Sequence, residues 1–100
     1  MPSGLAELKV AGGKLVRAEV DVEGGVLVDV KITGDFFLYP EEAIFDVESS
    51  LKGLGISADY ASVIEASLAQ LGAQLIGASP SDVAEAIRRA VEAALTKAEA

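Results

Sequence analysis

One hundred residues allow one domain, residues 1–100, and 51% hydrophobic against 24% charged residues calls for a folded core. The formal net charge of −8, from 16 acidic and 8 basic residues, argues against a surface that neutralises nucleic-acid phosphates or anionic lipid. With no Cys and no His, a disulfide, a thiol nucleophile, a zinc–thiolate site and an imidazole base are all excluded.

The aromatics are three Phe and two Tyr. The expected core is therefore Val, Ile, Leu and Ala, with Phe36, Phe37, Phe45, Tyr39 and Tyr60 as its few large pieces. A domain this small buries a modest fraction of its surface, so a docked partner adds to its stability. No apolar signal core opens the chain and no apolar run is long enough to span a bilayer, so the expected location is the cytoplasm.

Pro2, Ser3 and Gly4 read as breakers in a short start, followed by a first short strand around Leu8 and Val10. From Val16 the chain alternates. Val16, Ala18, Val20 and Val22 lie on one side, and Arg17, Glu19 and Asp21 on the other, which is a half-buried strand. Glu23-Gly24-Gly25 is a hairpin turn. The return strand is expected to put Val26, Val28, Val30 and Ile32 on the core face, with Leu27, Asp29, Lys31 and Thr33 opposite. Gly34 ends it, and Phe36 to Leu38 add a third short strand or an edge.

The period then changes to helical. Pro40 suits a first helical position, and Glu41 and Glu42 suit the positive helix start. Ile44, Val47, Leu51 and Leu54 carry this helix until Gly53 and Gly55 stop it. A second helix is expected from a Ser57 cap, carrying Tyr60, Val63, Ile64, Leu68 and Leu71 and stopping at Gly72. The third opens with Ser79 as cap, Pro80 at the first position and Asp82 completing a capping box. Val83, Ala86, Ile87, Ala90, Val91, Ala94 and Leu95 form its apolar stripe. Strands first and helices after predict an α+β domain, a three-stranded antiparallel sheet covered by three C-terminal helices.

Chemistry-bearing residues are few. Gly12-Gly13-Lys14 offers backbone N–H groups and a cation to an anion, yet it lacks the phosphate-loop pattern and leads into a strand, which favours a plain turn. Asp35, between Gly34 and Phe36, is either a lone ligand or base, or an acceptor in a turn. Phe36 and Phe37 are adjacent in an extended stretch and point to opposite sides, so one enters the core and the other becomes a candidate interface anchor. Glu41, Glu42, Asp46 and Glu48 form an acidic face whose expected role is solvation. Ser57, Ser79 and Ser81 have no partner to activate them and read as caps. Arg88 and Arg89 are placed to pair with Glu85 and Glu92.

The run Gly12-Gly13-Lys14-Leu15-Val16, the hairpin, Gly34-Asp35-Phe36-Phe37, a proline shortly after, and Ile76-Gly77-Ala78-Ser79 before the last of three helices resemble the C-terminal accessory domain of bacterial and archaeal lipoate-protein ligases. The likeness covers nearly the whole chain, and Gly-Asp-Phe-Phe is its most specific part. Ala11 stands where the family usually has proline, which loosens that turn.

The resemblance implies a fold similar to iron–sulfur scaffold proteins, although without cysteines no cluster can be assembled here. It implies a non-catalytic accessory subunit that forms a heterodimer with a catalytic large subunit and supports ATP-dependent activation of lipoate to lipoyl-adenylate. ATP, magnesium and lipoate are then used by the complex and not bound by this chain alone, and the lipoyl-acceptor domain is met indirectly. Gly12, Gly13, Lys14, Gly34, Asp35, Phe36 and Phe37 are the candidate contacts for docking or for support of activation, with no metal among them. The alternative is a small scaffold or interaction module unrelated to lipoylation.

Overall fold

The computed structural model describes residues 2–10, 12 and 14–99. The chain runs β1 (Ser3–Lys9), β2 (Leu15–Glu23), β3 (Val26–Gly34), β4 (Phe37–Tyr39), α1 (Ala43–Leu51), α2 (Tyr60–Leu71), β5 (Gln74–Ile76) and α3 (Pro80–Glu99). Strands β1, β2 and β3 form an antiparallel sheet in that order, and β4 pairs with β5 in a second, two-stranded sheet. All three helices cover one face. Helix α3 packs on β1 and β2, α1 packs on β3, and α2 lies against both helices.

Val16, Ala18, Val20 and Val22 of β2 are buried, as their alternation requires. The alternation of β3 is different from the one expected. Val30 and Ile32 are buried, but so is Leu27, while Val28 is exposed. The register explains this: Asp21 pairs with Asp29, yet Val22 pairs with Leu27, leaving Val28 as an extra residue on β3. One extra residue in an otherwise period-two strand moves everything beyond it to the other face.

The N-terminal segment is a full strand and not a string of breakers. Gly4 is buried, and a Cβ there would overlap the Ala90 carbonyl of α3. Glycine is what lets strand and helix backbones touch at this crossing.

The helices start and stop partly as expected. Helix α3 has the full reciprocal cap, Asp82 N–H donating to Ser79 Oγ at 3.1 Å and Ser79 N–H to Asp82 Oδ2 at 2.9 Å. Its stripe from Val83 to Ala94 is buried, with Leu95 partly so. Helix α2 is capped by Asp59 and not by Ser57. Ser62 N–H and Oγ donate to the Asp59 carboxylate at 3.2 and 2.7 Å, and these bonds hold its pKa below the usual carboxylate value. Helix α2 ends at Gly72, as read from the sequence.

Helix α1 begins at Ala43 and ends at Leu51, so Pro40 precedes it and Leu54 follows it. The segment from Gly53 to Ile56 runs instead along the hairpin end of β3. Leu27 N–H donates to Leu54 O, Gly53 N–H to Leu27 O, and Ile56 N–H to Gly25 O. Tyr60 is buried, its hydroxyl donating to Gly55 O at 3.0 Å, and burial pushes its pKa up. Among the described residues it is the only aromatic in the buried core; Phe36 is half-buried, and Phe37, Tyr39 and Phe45 are all exposed.

Candidate functional site

Three connections meet at the end of the sheet opposite the Gly24-Gly25 hairpin. The first is the β1–β2 turn, closed by Val10 N–H donating to Lys14 O at 2.9 Å. The second is Gly34 to Phe36, tied to the first by Asp35 N–H donating to Leu15 O at 2.9 Å. Gly34 pairs with Val16, and a Cβ on it would overlap the Leu15 carbonyl, so the backbone approach there admits only glycine. The third is Gly77 to Ser79, between β5 and α3. A Cβ placed on Gly77 would lie 3.5 Å from Phe36 Cα and 3.9 Å from Lys14 Cε.

Thus Gly12, Lys14, Gly34, Asp35, Phe36 and Phe37 share one end of the molecule, together with Gly77. Gly13, read as part of the same group, lies outside the described residues, as does Ala11.

Asp35 is exposed, and its carboxylate makes no hydrogen bond among the described residues. No group of three His, Cys, Asp or Glu placed to hold a metal occurs among them either. The glycine turn leads into β2 and not into a helix, and Ser79 and Asp82 already fill the N-terminus of α3.

The pair Phe36-Phe37 divides as its spacing requires. Phe36 turns inward, sharing the lining of a small apolar void with Ile32, Leu38, Ile44 and Ile64. Phe37 is 66% exposed on the first residue of β4. The short β4–β5 ribbon sets its neighbours. Leu38 faces Leu75 on the inner side, while Phe37 stands opposite Ile76 and Tyr39 opposite Gln74. Ile76 is 54% and Tyr39 73% exposed. Phe37, Tyr39 and Ile76 therefore form one apolar face beside the three connections.

Tyr39, expected in the core, is exposed instead, and neither it nor Ile76 reads as a site residue from the sequence, because the pairing of β4 with β5 joins segments far apart in the chain. Phe45, expected in the core, is 67% exposed on α1. Arg88 bonds to Glu85 and to Glu92, at 2.8 Å for the latter, and Arg89 reaches Glu85 at 2.9 Å. These arginines hold the Glu85 carboxyl below its ordinary value and are used within α3.

No family model matches the chain. It is 32% identical to lipoate-protein ligase A subunit 2 of Thermoplasma acidophilum over 74 residues, which span 74% of this chain and 77% of that one. The chain belongs to the lipoate-protein ligase A subunit 2 family. A solved structure of the bipartite lipoate-protein ligase of the same archaeon, studied with its E2 lipoyl domain, superposes with a TM-score of 0.69 at 31% identity. The match covers 86% of this chain and 92% of that one. It carries the same α+β arrangement of antiparallel sheet and helices. Membership of a subunit-2 family in a two-part ligase supports an accessory role in lipoylation for this chain. No described helix is long and apolar enough to cross a membrane.

Proposed function

We propose that this chain docks on the catalytic large subunit of a lipoate-protein ligase as a heterodimer and is required for ATP-dependent activation of lipoate to lipoyl-adenylate. The observation that carries the reading is the apolar face of Phe37, Tyr39 and Ile76 beside Lys14, Gly34 and Asp35, on a member of a subunit-2 family. In a chain with so few aromatics, placing two of them in water at one end is costly unless a partner covers them.

The chemistry divides accordingly. Activation aligns a lipoate carboxylate with the α-phosphate of ATP, two groups of like charge, and needs an ordered site. This chain supplies no activated nucleophile or base. Its contribution is to hold catalytic loops of the large subunit closed, with Lys14 and Asp35 as polar contacts at the rim of the apolar face. ATP, magnesium and lipoate are handled in the large subunit's pocket, and the lipoyl-acceptor domain meets that subunit.

The test follows pyrophosphate release from ATP and lipoate by the large subunit alone, by this chain alone, and by both. Release at a ligase rate is expected only from the pair. Release by this chain alone, or an equal rate without it, contradicts the reading.

A further inference from the structure

The outer edge of β3 is unfinished. In its pairing with β2, Asp35 bonds to Leu15, so Gly34, Ile32 and Val30 direct their backbone groups the other way, out of the sheet. Near the hairpin this edge is covered by Gly53 to Ile56. Beyond that no backbone pairs with it among the described residues. Instead, carboxylates stand in for a strand. Ile32 N–H donates to Glu48 Oε2 at 2.8 Å, and Val30 N–H donates to Asp29 Oδ1 at 3.0 Å.

Grooves follow this edge along its length. One is lined by Lys31, Thr33, Phe45 and Glu48, the next by Thr33, Gly34, Phe37 and Tyr39. The three exposed aromatics of the chain all flank it. An exposed strand edge with flanking apolar side chains is the template for strand addition by another polypeptide.

We infer that the β3 edge from Val30 to Gly34 takes an extended segment of the catalytic subunit as a fourth strand, one carrying basic side chains toward α1. The inference rests on the docking reading above and deepens it. Charge selects the occupant. Glu41, Glu42, Asp46 and Glu48 line α1 and its start, and Lys52 beyond it is 3.4 Å from Asp29. A basic segment both completes the ladder and satisfies the Glu48 carboxylate it displaces. A second copy of this chain, at net charge −8, would set acidic α1 against acidic α1. Continuity selects the place, because the edge runs straight into the Phe37–Tyr39 face.

The test is amide hydrogen exchange by NMR on isotopically labelled chain, free and with an excess of the catalytic large subunit. Exchange at Ile32 and Gly34 is expected to slow at least tenfold. Leu5 and Glu7, whose amides point out of the far edge at β1, serve as the control and are expected not to change. Glu48→Lys is expected to weaken binding at least tenfold while the isolated variant keeps its circular dichroism. A complex that perturbs Phe37, Tyr39 and Ile76 but leaves Ile32 and Gly34 exchanging at their rates in the free chain would overturn the strand inference and leave the docking reading intact. Protection at Leu5 and Glu7 instead would also overturn it. Failure of the two chains to associate at all would overturn both.

Discussion

Replacing Phe37 by alanine separates docking from folding. Phe37 is 66% exposed, so the fold covers only the remaining third of a side chain that offers on the order of 200 Å². At about 25 cal/mol/Å², truncation takes at most ~1.7 kcal/mol from the isolated chain. The exposed part is worth ~3 kcal/mol once a partner covers it, a loss on the order of a hundredfold in Kd. Phe36 is the internal comparison. It faces Ile32, Leu38, Ile44 and Ile64, so Phe36→Ala enlarges an existing void and costs the fold about 3 kcal/mol, with a smaller effect on docking. Urea denaturation of each isolated variant gives the first quantity, and titration calorimetry against the catalytic subunit gives the second. Phe37→Ala binding with unchanged Kd would refute the reasoning. So would a stability loss from Phe37→Ala as large as that from Phe36→Ala.

Gly4→Ala is expected to destabilise the chain by about 2 kcal/mol or more, because strand β1 must move off the Ala90 carbonyl, and thermal unfolding will show it as a lowered Tm. The acid side of the stability profile follows from two depressed carboxyls. Asp59, held by its bonds from Ser62, and Glu85, held by Arg88 and then Arg89, contribute stability that is present above the ordinary carboxylate pKa and lost as pH falls through their lower folded values. The double variant Asp59→Asn, Glu85→Gln is expected to lose stability less steeply on acidification than the parent in denaturation series run below about pH 5, and an unchanged slope would contradict this.

Local signals in the sequence were legible where local chemistry decides the structure. The Ser79–Asp82 cap, the Gly72 stop and the buried face of β2 follow from spacing and residue type alone. The phase of β3 between the hairpin and Val28, where Leu27 and not Val28 is buried, was not, because a bulge has no fixed residue signature and inverts the alternation it interrupts. Asp59 displaced Ser57 as the cap of α2 since both are good caps and only the path of the preceding loop chooses between them.

The aromatic placement was half legible. Adjacent phenylalanines in an extended segment must part, and they do. That Tyr39 and Phe45 also face water depends on β5 and on the turn of α1, which are tertiary facts. Glu48 read as a solvated acid, and its role at the Ile32 amide needs the helix laid beside the β3 edge. The convergence of Gly34 and Gly77 on Phe36 likewise joins segments that sequence distance keeps apart.

The central claim is that this subunit serves activation and not transfer. The direct measurement supplies the catalytic subunit with its lipoyl-acceptor domain in two ways, with preformed lipoyl-adenylate and with lipoate plus ATP, each with and without this chain. The account predicts that transfer from lipoyl-adenylate proceeds without it, while lipoylation from lipoate and ATP appears only when it is added. Equal rates from lipoate and ATP in its absence, or a requirement for it in both reactions, would contradict the claim.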